Sequence, residues 1–323
     1  MYSANAGADE SPFASVVVGG GPGGLGPLLW AAQNGLLDAW LAQGVAVVER
    51  TGRLGGTLGR YGICSDSLGG SYLECLEPEA LTPSFHYLRN DPITFEMRRY
   101  RQSFPPLPLV DRYMGRIGEA MTATLALHRA SALHFHTTVQ SIHLRADGTV
   151  ALFARGEDAR PRTLIARSAI VALGGRQPWQ EKAPESGLCF PDNAERRIAV
   201  LDIVDFGPAG LRTLLDEAAL VAPCLGYRAA TLPIVDESGR RLALRADANG
   251  DAVGDDCRLV LGDGGVLPNV YCIGLGTGFR PSLAMGCEPN FSGQANSLWL
   301  YQNDIGATIY RGIHEKQAAL AAA

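Results

Sequence analysis

The sequence predicts an α/β fold built on a parallel sheet, and three observations carry that prediction. Residues 14–18, Ala14-Ser15-Val16-Val17-Val18, form a short apolar run that ends in Gly19-Gly20-Gly21-Pro22-Gly23-Gly24. A mostly apolar stretch of helical character follows. A second apolar run, Val45-Ala46-Val47-Val48, then closes on the acid Glu49. Strand, glycine turn, helix and second strand make up a βαβ unit, whose crossover helix lays the second strand parallel to the first.

The glycines carry a specific spacing. Gly19, Gly21 and Gly24 fill the positions of G-x-G-x-x-G. The first allows the tight turn, the second lets the backbone approach a pyrophosphate at the helix N-terminus, and the third lets helix and strand pack closely. Glu49 stands 25 residues beyond Gly24, at the tip of the next strand. There a carboxylate accepts hydrogen bonds from ribose hydroxyls. Strand, helix and acid together point to a dinucleotide. A G-x-x-x-x-G-K-[ST] turn is absent, which argues against a mononucleotide kinase.

The 323 residues allow one large or two medium domains. Hydrophobic residues make up 46% and charged residues 19%, an ordinary globular composition. A net charge of −5 without a basic tract argues against nucleic acid. No apolar run reaches the length of about 18 residues that a membrane span needs, and residues 1–12 lack a basic-then-apolar leader pattern. The seven cysteines are odd in number and include no C-x-x-C, against a disulfide framework, a zinc knuckle or a redox dithiol. A cytoplasmic protein without a metal is the resulting expectation; the oligomeric state is left open.

Further along, residues 51–70 are dense in glycine and irregular, and in a dinucleotide fold they cross the carboxyl ends of the strands. Residues 81–110 read as a loop-rich excursion, and 109–130 as an amphipathic helix. Two β-like runs flank the turn Ala146-Asp147-Gly148. Residues 164–175 form an apolar strand ending in Gly174-Gly175, and residues 269–278 form a last buried strand with the exit Gly274-Leu275-Gly276-Thr277-Gly278. A C-terminal helix spans about 298–321.

These pieces in this order resemble flavoproteins of the two-dinucleotide-binding superfamily, which includes flavin-containing monooxygenases, lysine and ornithine N-hydroxylases and thioredoxin reductase-like enzymes. The matching stretches are 17–24 with Glu49, Ala172-Leu173-Gly174-Gly175-Arg176-Gln177-Pro178, Ala222-Pro223-Cys224-Leu225-Gly226-Tyr227-Arg228 and residues 269–278. In the second, Leu173 replaces the Thr of the superfamily's Ala-Thr-Gly. The resemblance implies a Rossmann-like, FAD-binding three-layer domain with a reduced second domain. It divides the chain into 1–175, a middle piece 176–262 and 263–323.

Carried over residue by residue, the resemblance puts the FAD pyrophosphate on Gly19, Gly21, Gly23 and Gly24, and the adenosine ribose on Glu49 beside Arg50. Gly55 and Gly56 pass the ribityl or flavin region. Val139 meets adenine through its backbone. Gly174 and Gly276 lie near the cofactor, and the helix start at Asn296-Ser297-Leu298 points N–H groups at the flavin pyrimidine, where a positive helix end stabilises the anionic reduced flavin.

One departure matters most. In the superfamily a second βαβ module with its own glycine fingerprint binds NAD(P)H between the landmarks that here fall at Gly175 and Leu225. The 49 residues between them lack that spacing and are too few for the module. The flavin is then reduced by the substrate itself, in an oxidase or dehydrogenase, or by an external reductase or free nicotinamide that supports hydroxylation by O₂. A non-redox protein that keeps FAD as a prop is the third reading. Candidate chemical residues are Asp66 as a base, Cys64 as a thiolate, His86 as a proton acceptor and Asn303 in the substrate cavity. Each also has a plain structural reading: a turn cap, core packing or a helix surface. The expected partner is a small-molecule or carrier-bound substrate.

Overall fold

The computed structural model describes residues 11–60, 62–65, 67–176, 228–248, 250–279 and 298–322. Strand β1 (Ser15–Val18) and strand β2 (Val45–Val48) pair in parallel, Val17 opposite Val47. Both strands are buried at every position. That is the signature of a central parallel strand covered on both faces, and it explains why neither run alternates apolar with polar residues.

Three further parallel strands extend the sheet: β3 (Ala132–His134) beside β2, β7 (Ala169–Val171) beside β1, and β13 (Val266–Cys272) beside β7. The antiparallel β12 (Arg258–Val260) closes the edge, giving the order β12-β13-β7-β1-β2-β3. The chain therefore completes its central sheet with a strand drawn from close to its C-terminal end.

Helix α1 (Pro22–Gln33) packs on one face, with the short helices α2 (Leu37–Ala42) and α3 (Gly69–Leu73) following along the chain. A Cβ on Gly24 would stand 1.8 Å from the Gly19 carbonyl oxygen and 3.1 Å from Val17 Cγ1, so only glycine permits this contact of helix and strand. Helices α6 (Leu298–Gln302) and α7 (Asp304–Ala322) cover α1. A Cβ on Gly26 would lie 2.3 Å from the Tyr301 carbonyl oxygen. Tyr310 of α7 meets the rings of Trp30 and Trp40, the latter edge-on at 5.2 Å.

A second sheet has the order β11-β10-β4-β5-β6. Its centre is the antiparallel meander β4 (Thr137–Leu144), β5 (Val150–Gly156) and β6 (Pro161–Ala166). Strand β10 (Ile234–Val235) runs parallel to β4 and pairs with β11 (Arg241–Leu242). The two sheets are stitched together where Phe13 bridges Ala166 and where the Thr137 N–H donates to the Glu49 carbonyl at 3.1 Å.

Two expectations change here. The middle piece 176–262 divides at residue 228. Strands β10 and β12 hydrogen-bond into the two sheets, so 228–262 shares the core of the larger compact unit, while Gln177–Tyr227 forms the other and lies outside the described residues. The strand pair β8 (Gly175–Arg176) and β9 (Arg228–Ala229) brings the ends of that segment together. The excursion 81–110 is also more regular than expected. A 3-10 helix at Pro83–Asn90 leads into α4 (Pro92–Arg98), capped by the Asp91 carboxylate accepting the Ile93 N–H, and then into α5 (Leu107–Leu127). Pro83, Pro92 and Pro108 sit at first-turn positions, where a missing N–H costs nothing.

Candidate functional site

Parallel strands end together, and their exits gather at the N-terminus of α1. Gly19 turns out of β1 with φ +101°, and a Cβ there would meet the Ala172 carbonyl oxygen at 2.3 Å. Gly21, with φ −75°, is the residue before the helix. The nearest heavy atom to a Cβ on Gly21 would be the Gly56 Cα at 3.9 Å, so this face of the turn is open. At the first turn of α1 the N–H groups lack intrahelical acceptors and the helix dipole adds positive potential. A Cβ on Gly23 would lie 3.7 Å from the Ile273 carbonyl oxygen, just past the end of β13. A turn closed by Gly19 and Gly24 and open at Gly21 is a cradle for a backbone-bound pyrophosphate, so the residues present fit a dinucleotide.

Glu49 is buried at 9% exposure, and its carboxylate has a task of its own. Oε2 accepts the Gly20 N–H at 2.7 Å and Oε1 accepts the Thr51 N–H at 2.8 Å. The acid thus ties the glycine turn to the segment after β2, and each oxygen keeps a lone pair for a ribose hydroxyl. Arg50 is exposed and makes no ion pair among the described residues.

The segment after β2 continues against the glycine turn. Gly55 (φ +105°) donates to the Gly20 carbonyl at 2.8 Å, and a Cβ on Gly56 (φ +87°) would meet Pro22 Cδ at 2.9 Å. Gly55 also lies under helix α5, where a Cβ would be 2.4 Å from the Met114 carbonyl oxygen. On the other side of the turn, Gly174 (φ +76°) ends β7, and a Cβ on Gly274 would stand 3.3 Å from the Gly174 Cα. Gly276 (φ +78°) follows. Val139 is buried in β4 opposite Ala154, and the ladder shifts register between Val139 and Ser141. Of the expected cofactor contacts, Gly19, Gly21, Gly23, Gly24, Glu49, Gly55 and Gly56 lie together around the glycine turn, and Gly174 adjoins it through Ala172 and Gly274. Leu298 opens α6, and Asn296 lies outside the described residues.

The catalytic candidates separate. Asp66, with its neighbour Tyr61, lies outside the described residues. Cys64 is exposed and forms a backbone bridge with Pro106. His86 is not at the glycine edge. Its Nε2 lies 2.7 Å from the Leu81 carbonyl oxygen, and neighbouring Thr82 donates its N–H to Ala32 near the C-terminal end of α1. That end is about 15 Å along the helix from Pro22 at 1.5 Å per residue. Asn303 joins α6 to α7, with its Nδ2 buried and without a partner among the described residues.

Two features went unread in the sequence. Ser65 Oγ and Tyr72 Oη share a hydrogen bond of 2.5 Å, and Ser65 Oγ also accepts the Ser67 N–H at 3.0 Å. With the Ser65 N–H on the Pro105 carbonyl at 2.8 Å, this ties Ser65 and Ser67 to Tyr72 and to the chain leading into α5. The second is a cleft of about 740 Å³ between residues 51–60 and the start of α5, with Arg53, Arg60, Asp111 and Arg112 on its walls. The cleft has no local motif, because it joins residues about fifty positions apart in the chain.

No family model matches the chain. It is 25% identical to the CMP-5'-(3-aminopropyl)phosphonate hydroxylase of Streptomyces rubellomurinus, an alignment of 426 positions that covers 93% of this chain and 97% of that protein. Among solved structures, it is similar to the ornithine N-hydroxylase of Kutzneria sp. 744, a complex with FAD, NADP⁺ and L-ornithine, at 17% identity and a TM-score of 0.37 over 52% of this chain and 39% of that one. It is also similar to the FAD-bound cadaverine monooxygenase of Erwinia amylovora, at 12% identity and a TM-score of 0.38 over 53% and 39% of the two chains. The chain thus spans about two fifths of the length of these solved proteins.

Proposed function

We propose that this chain is an FAD-dependent oxidoreductase that hydroxylates a small amine-bearing organophosphorus compound, drawing its electrons from outside the chain. The observation that carries the cofactor is the glycine turn, closed at Gly19 and Gly24, open at Gly21 and bordered by the Glu49 carboxylate. Gly21, Gly23 and Gly24 would hold the pyrophosphate, Glu49 the ribose, and Gly55, Gly56, Gly174 and Gly276 would give the backbone close approach to the remainder. Bound FAD supplies two-electron chemistry and the activation of O₂. The residues of the chain bind, orient and shield.

Hydroxylation is favoured over the oxidase reading because the full-length relative is a hydroxylase. Insertion of one oxygen atom into the substrate, with the other leaving as water, consumes O₂, two electrons and two protons. The alignment with that relative also bears on the electron source. It runs over 426 positions while this chain has 323 residues, so at least 103 positions (426 less 323) have no counterpart here. That difference is the size of a nucleotide module, and it agrees with the lack of a second glycine fingerprint between Gly175 and Leu225. An external reductase is the co-reactant.

The test is the visible spectrum of the purified chain, identification of the released cofactor, and anaerobic addition of NADH, NADPH and dithionite. Flavin bands bleached by dithionite and left by both nicotinamides are expected. Absence of the bands overturns the FAD assignment, and fast bleaching by either nicotinamide overturns the external electron source.

A further inference from the structure

The cleft beside α5 is not part of the glycine edge. The segment 51–60 has two sides. On one, Gly56 meets Pro22, and Leu54 Cδ2 lies where a Cβ on Gly20 would be. On the other, Gly55 and Gly59 pack on α5, where a Cβ on Gly59 would stand 3.0 Å from Asp111 Oδ2. The cleft opens on the α5 side, and its walls include no residue of the glycine turn, Glu49, or the exits of β7 and β13. It is an open groove rather than an enclosed cavity.

Its chemistry is specific. Arg53 is held in place by the Gly56 carbonyl at 3.0 Å and Asp111 Oδ2 at 2.7 Å. Arg112 is tethered to Glu96 at 2.6 Å. Arg60 ends the 3-10 turn Leu58–Arg60, is exposed, and has no ion pair among the described residues. The second carboxylate oxygen of Asp111, Oδ1, is buried and lacks a hydrogen-bond partner among the described residues. A buried acceptor of this kind is costly until a donor reaches it. Three guanidinium groups and one half-used carboxylate make a site that is net positive with a single demand for a donor. Guanidinium forks match the oxygens of a phosphate or phosphonate, and three of them exceed what the two oxygens of a carboxylate can engage.

We propose that this cleft binds the substrate by its phosphate or phosphonate group, with Arg60 as the primary anion contact, Arg53 and Arg112 flanking it, and Asp111 Oδ1 accepting a hydrogen bond from a neighbouring amine or hydroxyl. This rests on the organophosphorus reading of the function and gives it a location. Asp111 then distinguishes organophosphorus compounds that carry a donor from inorganic phosphate.

Calorimetric titration of the flavin-loaded full chain with CMP, 3-aminopropylphosphonate and inorganic phosphate tests it, together with the flavin-to-protein absorbance ratio. Arg60→Gln is expected to weaken both organic probes by about tenfold or more, the loss of one charged contact. Asp111→Asn is expected to weaken 3-aminopropylphosphonate more than inorganic phosphate. Both variants retain their flavin. Equal affinities in wild type and Arg60→Gln, or no binding of either organic probe, overturn the proposal. Loss of flavin from Arg60→Gln also overturns it, by assigning the cleft to the cofactor. Because Arg60 is exposed and without an ion pair among the described residues, its substitution keeps the test valid even where Asp111→Asn destabilises the chain. A wild-type chain without flavin bands would instead count against the oxidoreductase reading, and phosphate binding would still be read separately.

Discussion

Substituting alanine at Gly21 and at Gly24 separates cofactor binding from folding within one turn of chain. At Gly24 the added Cβ stands 1.8 Å from the Gly19 carbonyl oxygen and 3.1 Å from Val17 Cγ1. Both are parts of the central strand and its exit, so α1 must move off β1. Overpacking of this kind costs about 1–3 kcal/mol, with severe cases higher, against a gain of about 1 kcal/mol from alanine's helix propensity. A contact of 1.8 Å belongs at the severe end, and a net loss of about 2 kcal/mol or more is expected. At Gly21 the backbone has φ −75° and ψ −175°, which alanine adopts freely, and the nearest atom to the new Cβ is 3.9 Å away. There the lost entropy of the unfolded chain stabilises by about 0.4–1 kcal/mol, roughly offset by alanine's poorer helix capping. Gly21→Ala should therefore fold with wild-type stability, within about 1 kcal/mol, and fail to hold flavin, because its methyl group fills the pyrophosphate's place. Urea denaturation of the apoprotein, followed through the tryptophans Trp30 and Trp40 in and beside α1, measures the first quantity. The flavin-to-protein absorbance ratio measures the second. A Gly21→Ala chain that retains flavin, or a Gly24→Ala chain as stable as wild type, would refute the reasoning.

Other outcomes follow from the same contacts. Glu49→Gln places an amide group against one of two backbone donors, Gly20 or Thr51, and should lower stability by about 1–3 kcal/mol in a urea midpoint even without flavin. Tyr72→Phe removes the short bond to Ser65 and should cost about 1 kcal/mol, with faster amide exchange at Ser65 and Ser67. Burial pushes the Cys75 and Cys272 thiols up to about 12, and Cys257 upward as well, whereas Cys64 is exposed; the Cys64→Ser chain should lose one fast-reacting equivalent in a native thiol titration. Burial lowers the pKa of His134, His143 and His314, with Arg162 adding to the effect at His134. Their folded values lie below the unfolded one, so the stability they contribute is present above about pH 6.5 and is lost as pH falls through the folded values. The urea midpoint should drop on acidification in that window, and His314→Gln should flatten the drop.

The sequence by itself determined the βαβ unit, its glycine turn and the acid at its tip. Each is local: φ +101° at Gly19, the closeness of Gly24 to the strand and the end of an apolar run are written within 36 residues of chain. The tertiary structure decided what lies across from them. Strand β13 reaches β7 from about a hundred residues away, and nothing local in residues 228–262 shows that β10 belongs beside β4 and β12 beside β13. His86 read as a reactive side chain in a loose loop, yet a 3-10 helix anchored to the far end of α1 removes it from the glycine edge. Asp111 looked like one more polar position on an amphipathic helix. Its pairing with Arg53 and its place opposite Arg60 arise only when α5 packs on Gly55 and Gly59. Backbone conformation is imposed by neighbours in sequence, whereas a binding cleft is made by side chains that meet only once the core has closed.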